Sequence, residues 1–127
     1  MKSLQLSSFL RQNGVPLFDG SGKNVYVLDI AFATFFIEMA EKNHIPIIGG
    51  DVYCKKGSKI LFGDYFWLSW FCERQIGEDF DHNSYFDRSI KMAKKQLAKI
   101  ETIMRRRNIL KTIMQKEAIV LYVNFVL

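Results

Sequence analysis

The residues of this sequence best suited to hold a metal or attack a substrate are His44, Cys54, Cys72 and His82, and they stand singly. Zinc modules bring their ligands in close pairs, so four scattered residues argue against a tetrahedral site. A cysteine–histidine nucleophile needs an electropositive setting that stabilises the thiolate. Both cysteines lie instead in apolar, aromatic runs, Val52-Tyr53-Cys54 and Trp70-Phe71-Cys72, where thiols are inert core residues. Asp79, Asp81, Asn83 and Asp87 match the early ligands of a calcium loop, but Ser84 stands where the sharp turn needs Gly and Ile90 where the closing Glu belongs. That cluster is better suited to starting a helix. Gly22-Lys23 resembles the end of a phosphate-binding loop, yet Leu17 replaces its first Gly and Asn24 its hydroxyl. These failures leave no catalytic residue, no metal site and no cofactor site to assign, and the chain is expected not to be an enzyme.

The elements that position these residues follow from periodicity. With 127 residues, 49% hydrophobic and 14% aromatic, the chain has the length and composition of one domain spanning 1–127, able to bury a core without staples. Lys2 to Gln12 predicts a short helix, ended by Asn13, Gly14 and Pro16, before a loop over Asp19 to Asn24. Asp29 is a plausible N-cap for a helix reaching Asn43 that is apolar on nearly all sides and therefore expected deep in the core. Pro46 stops that pattern. Ile45 to Tyr53 and Lys59 to Phe62, joined by a turn at Lys55-Lys56-Gly57-Ser58, predict a β-hairpin, and Tyr65 to Cys72 predicts a third strand. Phe86, Ile90, Ala93, Leu97, Ile100 and Met104 recur at helical spacing and make one stripe of a long helix, with Asp81, Asn83 or Ser84 as its N-cap. Ala118 to Leu127 predicts a buried C-terminal strand. The expected architecture is α+β: an antiparallel sheet of three to four strands packed against an apolar helix and a long amphipathic one.

Charge is unevenly placed. Through Asp87 there are 8 Lys/Arg against 11 Asp/Glu; from Arg88 onward there are 10 against 2. The basic stretch suits either a solvated helix face or a surface for phosphates or an acidic protein. A small basic nucleic-acid-binding protein using the helix face 88–116 is the alternative function it allows, although no aromatic–basic interleaving accompanies the charge. No secretory signal opens the chain, Asp29 and Glu38 interrupt its most apolar stretch, and the C-terminal run is ten residues, so a cytoplasmic protein without membrane contact is expected.

One set of motifs carries a resemblance. An apolar helix followed by Gly49-Gly50-Asp51-Val52-Tyr53, then Trp70-Phe71-Cys72-Glu73, then Tyr85-Phe86-Asp87-Arg88-Ser89-Ile90 opening a helix, resembles the immunity protein 40 family of bacterial toxin systems. The likeness covers roughly Val25 to Ile100 and the last strand; the aromatic Phe62 to Trp67 and the basic Glu101 to Lys116 depart from it. The resemblance implies a non-catalytic α+β protein that binds and neutralises a cognate toxin, with no cofactor and no nucleic-acid partner. Its family-motif residues are Gly49, Gly50, Asp51, Val52, Tyr53 and Trp70, in structural or toxin-binding roles.

Toxins of such systems are often nucleases with basic clefts. The acidic residues that could face one are Asp51, Asp64, Glu73, Glu78, Asp79 and Asp81; the basic helix would instead favour an acidic patch on the partner. Gly49 and Gly50 read as a bulge or close packing beneath the apolar helix, or as a contact surface. Tyr53 and Trp70 read as core or as interface anchors. Asp51 either faces solvent or is bonded internally, and a bond to a nearby backbone amide is expected because an unpaired buried carboxylate is costly.

Overall fold

The structure, a computed structural model, describes residues 2–18, 24–80, 82–113 and 119–127. The loop expected from Asp19 begins outside the described residues, as do Gly22-Lys23, Asp81, Lys116 and Ala118. The elements run α1 (Lys2–Asn13), β1 (Val15–Phe18), β2 (Asn24–Asp29), α2 (Ile30–Lys42), β3 (Gly49–Lys56), β4 (Lys59–Leu61), a 3-10 turn (Phe66–Leu68), β5 (Trp70–Phe71), α3 (Asn83–Ile113) and β6 (Val120–Val126). The α+β architecture, with helices packed on a sheet, is as expected. The sheet has six strands in the order β1-β2-β6-β3-β4, with β5 also pairing β3, rather than three to four.

Two strands account for most of the difference. β1 contains Pro16, a strand breaker in most contexts, but β1 is the edge of the sheet, where a missing N–H is tolerated. β2 runs into α2 through one continuous apolar stretch, and Asp29 alone marks the junction. Its extended backbone (φ −68°, ψ 171°) and its carboxylate, which accepts from the Phe32 N–H at 2.9 Å, form the N-cap. In place of a full third strand, Tyr65 to Cys72 forms the 3-10 turn and the two-residue β5.

α2 buries one face, Ala33, Phe36, Ile37 and Ala40, while Phe35 is exposed, so it lies on the sheet rather than deep within the core. Its C-terminus closes with paired backbone bonds, His44 N–H to Glu41 O and Ile45 N–H to Ala40 O, a geometry that places His44 at φ 56°. Glycine is usual there. His44 instead stacks on Phe86 at 3.9 Å and bonds Asn83 at 3.0 Å, which offsets the backbone strain.

α3, 31 residues and about 46 Å long, carries the expected stripe: Phe86, Ile90, Ala93, Leu97 and Ile100 are buried and Met104 is half-buried. Its cap is not Asn83 or Ser84, which are already helical. His82 precedes them, and its Nδ1 accepts from the Ser84 N–H at 3.2 Å. Two polar side chains fasten α3 to the sheet layer. Buried Ser89 accepts from the Ile47 N–H at 3.2 Å, and Asn108 bonds both the N–H (2.6 Å) and the carbonyl (3.2 Å) of Ile119.

Candidate interaction surface

β3 is the strand on which the sequence motif lies, and the period of two divides the motif between the two faces of the sheet. Gly50, Val52 and Cys54 face the helices; Gly49, Asp51 and Tyr53 face away. On the inner side a side chain at Gly50 is excluded, because a Cβ there would stand 2.3 Å from the Trp70 ring. Trp70 packs edge-on to Phe125, which stacks on Phe36 of α2 at 4.7 Å. The close packing expected at the glycines is therefore made by Trp70, not by the apolar helix. At Gly49 the obstacle is the Trp70 carbonyl oxygen, 2.4 Å from where a Cβ would be.

The outward face is different. Asp51 is half-buried, burial raises its carboxyl above the ordinary carboxylate value, and no hydrogen bond to it is found among the described residues. No internal bond to a nearby backbone amide, as expected from sequence, is found among the described residues; the residue opposite, Asn124, donates one amide N–H to the Tyr26 carbonyl at 2.8 Å. Further along the same face Tyr53 is paired with Tyr122 and touches Phe62 at 5.3 Å, and Phe62 reaches Phe66 at 6.3 Å. At the other end Phe71, paired with Gly49, is 62% exposed. Aromatic side chains thus flank Asp51 on both sides.

Beyond Phe71 the chain makes a corner, 72–80, without regular structure yet tightly held. Glu78 accepts from both Arg88 guanidinium nitrogens at 2.9 and 2.7 Å, from the Ser84 hydroxyl at 2.6 Å and from the Gln75 N–H at 3.0 Å. The Arg88 guanidinium first, then Ser84 and Gln75, hold its carboxyl well below the usual range. Arg88 also donates to the Glu73 carbonyl at 2.7 Å, and the Tyr85 hydroxyl, pushed up to about 12 mainly by burial, donates to the Cys72 carbonyl at 2.7 Å. Arg74 lies over the Phe80 ring at 4.3 Å. The result is an open groove of about 560 Å³ between Phe71, Arg74 and Phe80, next to a fully exposed Ile76.

Of the acidic residues singled out from sequence, Asp64, Glu73 and Asp79 are exposed, Glu78 is committed to the clamp, and Asp81 lies outside the described residues. Val52 is buried, Trp70 is half-buried against the core, and Gly49 and Gly50 are fixed by packing. Phe62, Phe66, Phe71, Ile76 and Tyr122 were missed. Ile76 had a signal, an isoleucine among charged residues and next to Gly77 at φ 80°. The others were legible only as generic aromatics.

On the opposite layer, Lys91, Lys95, Lys99 and Arg106 are exposed along α3, whereas Lys94 pairs with Glu41 at 2.8 Å and Arg105 with Glu101. Among the described residues, no group of three or more His, Cys, Asp or Glu could hold a metal ion, and no helix is long and apolar enough to cross a membrane. Neither cysteine forms a disulfide.

A family model described as immunity protein 40 matches residues 10–121. The chain belongs to that family. It is therefore an immunity protein, which neutralises a cognate toxin and is not an enzyme. No curated protein and no solved structure matches it. The match extends past Ile100 into the basic stretch, so the immunity protein family takes in all of α3 and the start of β6.

Proposed function

We propose that this immunity protein receives its toxin on the outward face of the sheet and the adjoining corner, with the whole chain acting as one domain in the cytoplasm. The observation that supports this reading most directly is the corner's clamp. Ile76, Phe71 and Phe80 are presented on a segment held by Glu78, Arg88 and Tyr85, so the entropy of ordering these anchors is already lost before binding. Tight interfaces draw most of their energy from a few such apolar and aromatic anchors, set among polar groups that choose the partner. Asp51, Asp64, Glu73 and Asp79 supply the second requirement, and their sign suits a cationic toxin surface.

The basic face of α3 is the weaker candidate. Three of its cations, Arg88, Lys94 and Arg105, are answered within the chain by Glu78, Glu41 and Glu101, which reduces what remains for phosphates or an acidic partner.

Co-expression with the toxin domain encoded beside it tests the assignment. Ile76→Asp combined with Phe71→Ser is expected to abolish protection of growth and co-purification, because two anchors of about 2 kcal/mol each are lost. Lys95→Glu with Lys99→Glu is expected to protect like the parent. The reverse pattern would move the interface to α3.

A further inference from the structure

We propose that Asp51 is the seat for a cationic side chain, an arginine by preference, that the toxin inserts between the aromatic groups of the sheet face; this deepens the interface reading above and rests on it. Three features of the surroundings carry the proposal. First, the carboxylate stands on the third residue of β3, on the face turned away from the described helices, half-buried and without a hydrogen bond or ion pair among the described residues. A charged group in that position is costly unless something outside the chain completes it.

Second, the groups beside it offer acceptors and ring faces. Asn124, directly opposite, donates one amide N–H to the Tyr26 carbonyl, and its Oδ1 is a further acceptor. Tyr53 and Tyr122, paired with one another two residues along, bring two aromatic rings to the same face. An acceptor pair beside aromatic rings matches a guanidinium, which is planar, donates through a fork and lies well on tyrosine. Third, Phe71, paired with Gly49 and 62% exposed, places an apolar ring at the other end of the same face, so the carboxylate lies between aromatic groups.

The contrast with Glu78 gives the argument its sign. Where this chain needs a carboxylate for its own structure, it surrounds it with donors; around Asp51 the described residues supply none.

The test is calorimetric titration of an inactivated form of the toxin domain encoded beside this chain, at low and moderate salt, with parent, Asp51→Asn and Ile76→Asp proteins, and a thermal melt of each. Asp51→Asn keeps the shape and removes the charge. It is expected to weaken binding about 30-fold or more and to flatten its salt dependence, while its melting midpoint stays level or rises. If Asp51→Asn binds like the parent while Ile76→Asp does not, the seat is wrong and the interface stands. Parent-like binding by both variants overturns the interface as well. A clear drop in the Asp51→Asn midpoint would make Asp51 a structural residue and also overturn the proposal.

Discussion

Glu78 and Asp51 are carboxylates on neighbouring parts of one surface, and their environments are opposite. Glu78 accepts four hydrogen bonds, two of them from one guanidinium, and its carboxyl is held down; Asp51 accepts none among the described residues, and burial pushes its carboxyl up. A carboxylate saturated by its own chain is part of the framework. One that is partly desolvated and left without donors lowers the stability of the unbound protein and is open to a ligand. The two residues look alike in sequence, each an acidic group beside glycine. Only the donors brought to them by the fold separate their roles.

The comparison breaks most sharply at Arg88. Arg88→Ala removes two bonds to Glu78 and one to the Glu73 carbonyl, leaving a nearly buried carboxylate behind, so it should cause the largest fall in melting temperature of the variants considered. Hydrogen exchange should show faster opening of residues 73–80 in the same variant. An unchanged melt would mean that the clamp is ornamental and the contrast empty.

A smaller effect is expected from Tyr85→Phe, which leaves the Cys72 carbonyl without its 2.7 Å donor while keeping the buried ring. About 1 kcal/mol of stability should be lost in denaturant titration, with no change in slope. Ser89→Ala, at the bond joining Ile47 to α3, serves as a comparison outside the corner and should cost about 1–2 kcal/mol.

Acid titration sharpens the contrast further, because the two carboxylates contribute with opposite sign. Glu78 titrates lower in the folded chain than in the unfolded one. Its contribution is therefore complete above about pH 4.3, the ordinary glutamate value, and is lost as pH falls below it. Asp51 titrates higher when folded, so the folded state gains from its protonation as pH falls toward about 3.9. Glu78→Gln should flatten the acid limb of the stability curve, and Asp51→Asn should steepen it. The smallest effect expected is that of Asp51→Asn on stability at neutral pH, level or slightly raised.

Much of the framework was legible because its signals are local. The stripe of α3 repeats over five buried residues, Asp29 caps α2 with its own side chain, and the alternation of β6 is unbroken. Each of these can be read within a single turn or strand. What escaped depends on partners distant in sequence. β2 is a strand because β1 and, at Leu28 and Asp29, the distant β6 pair with it, and its residues alone continue the apolar run of α2. Gly50 is required by Trp70, twenty positions on, so the close packing was expected but its partner was not. Glu78 carried the look of a surface charge, and only the approach of Arg88 from the next helix makes it structural. In the candidate interface, Asp51 was noticed for the cost of an unpaired carboxylate, and the bond expected for it is not found among the described residues.

β6 lies between β2 and β3, and no other described strand joins them. Until it has been synthesised, β1 with β2 and β3 with its short neighbours lack the strand that joins them into one sheet. At about 5–20 residues per second the ribosome adds β6 long after the remaining strands have emerged. The inhibitor is therefore armed by its last strand. A chain cut after residue 119 should show no slowly exchanging amides on β2 or β3, and the interval before β6 arrives is a window in which a cell already holding the toxin has no protection from the nascent copy.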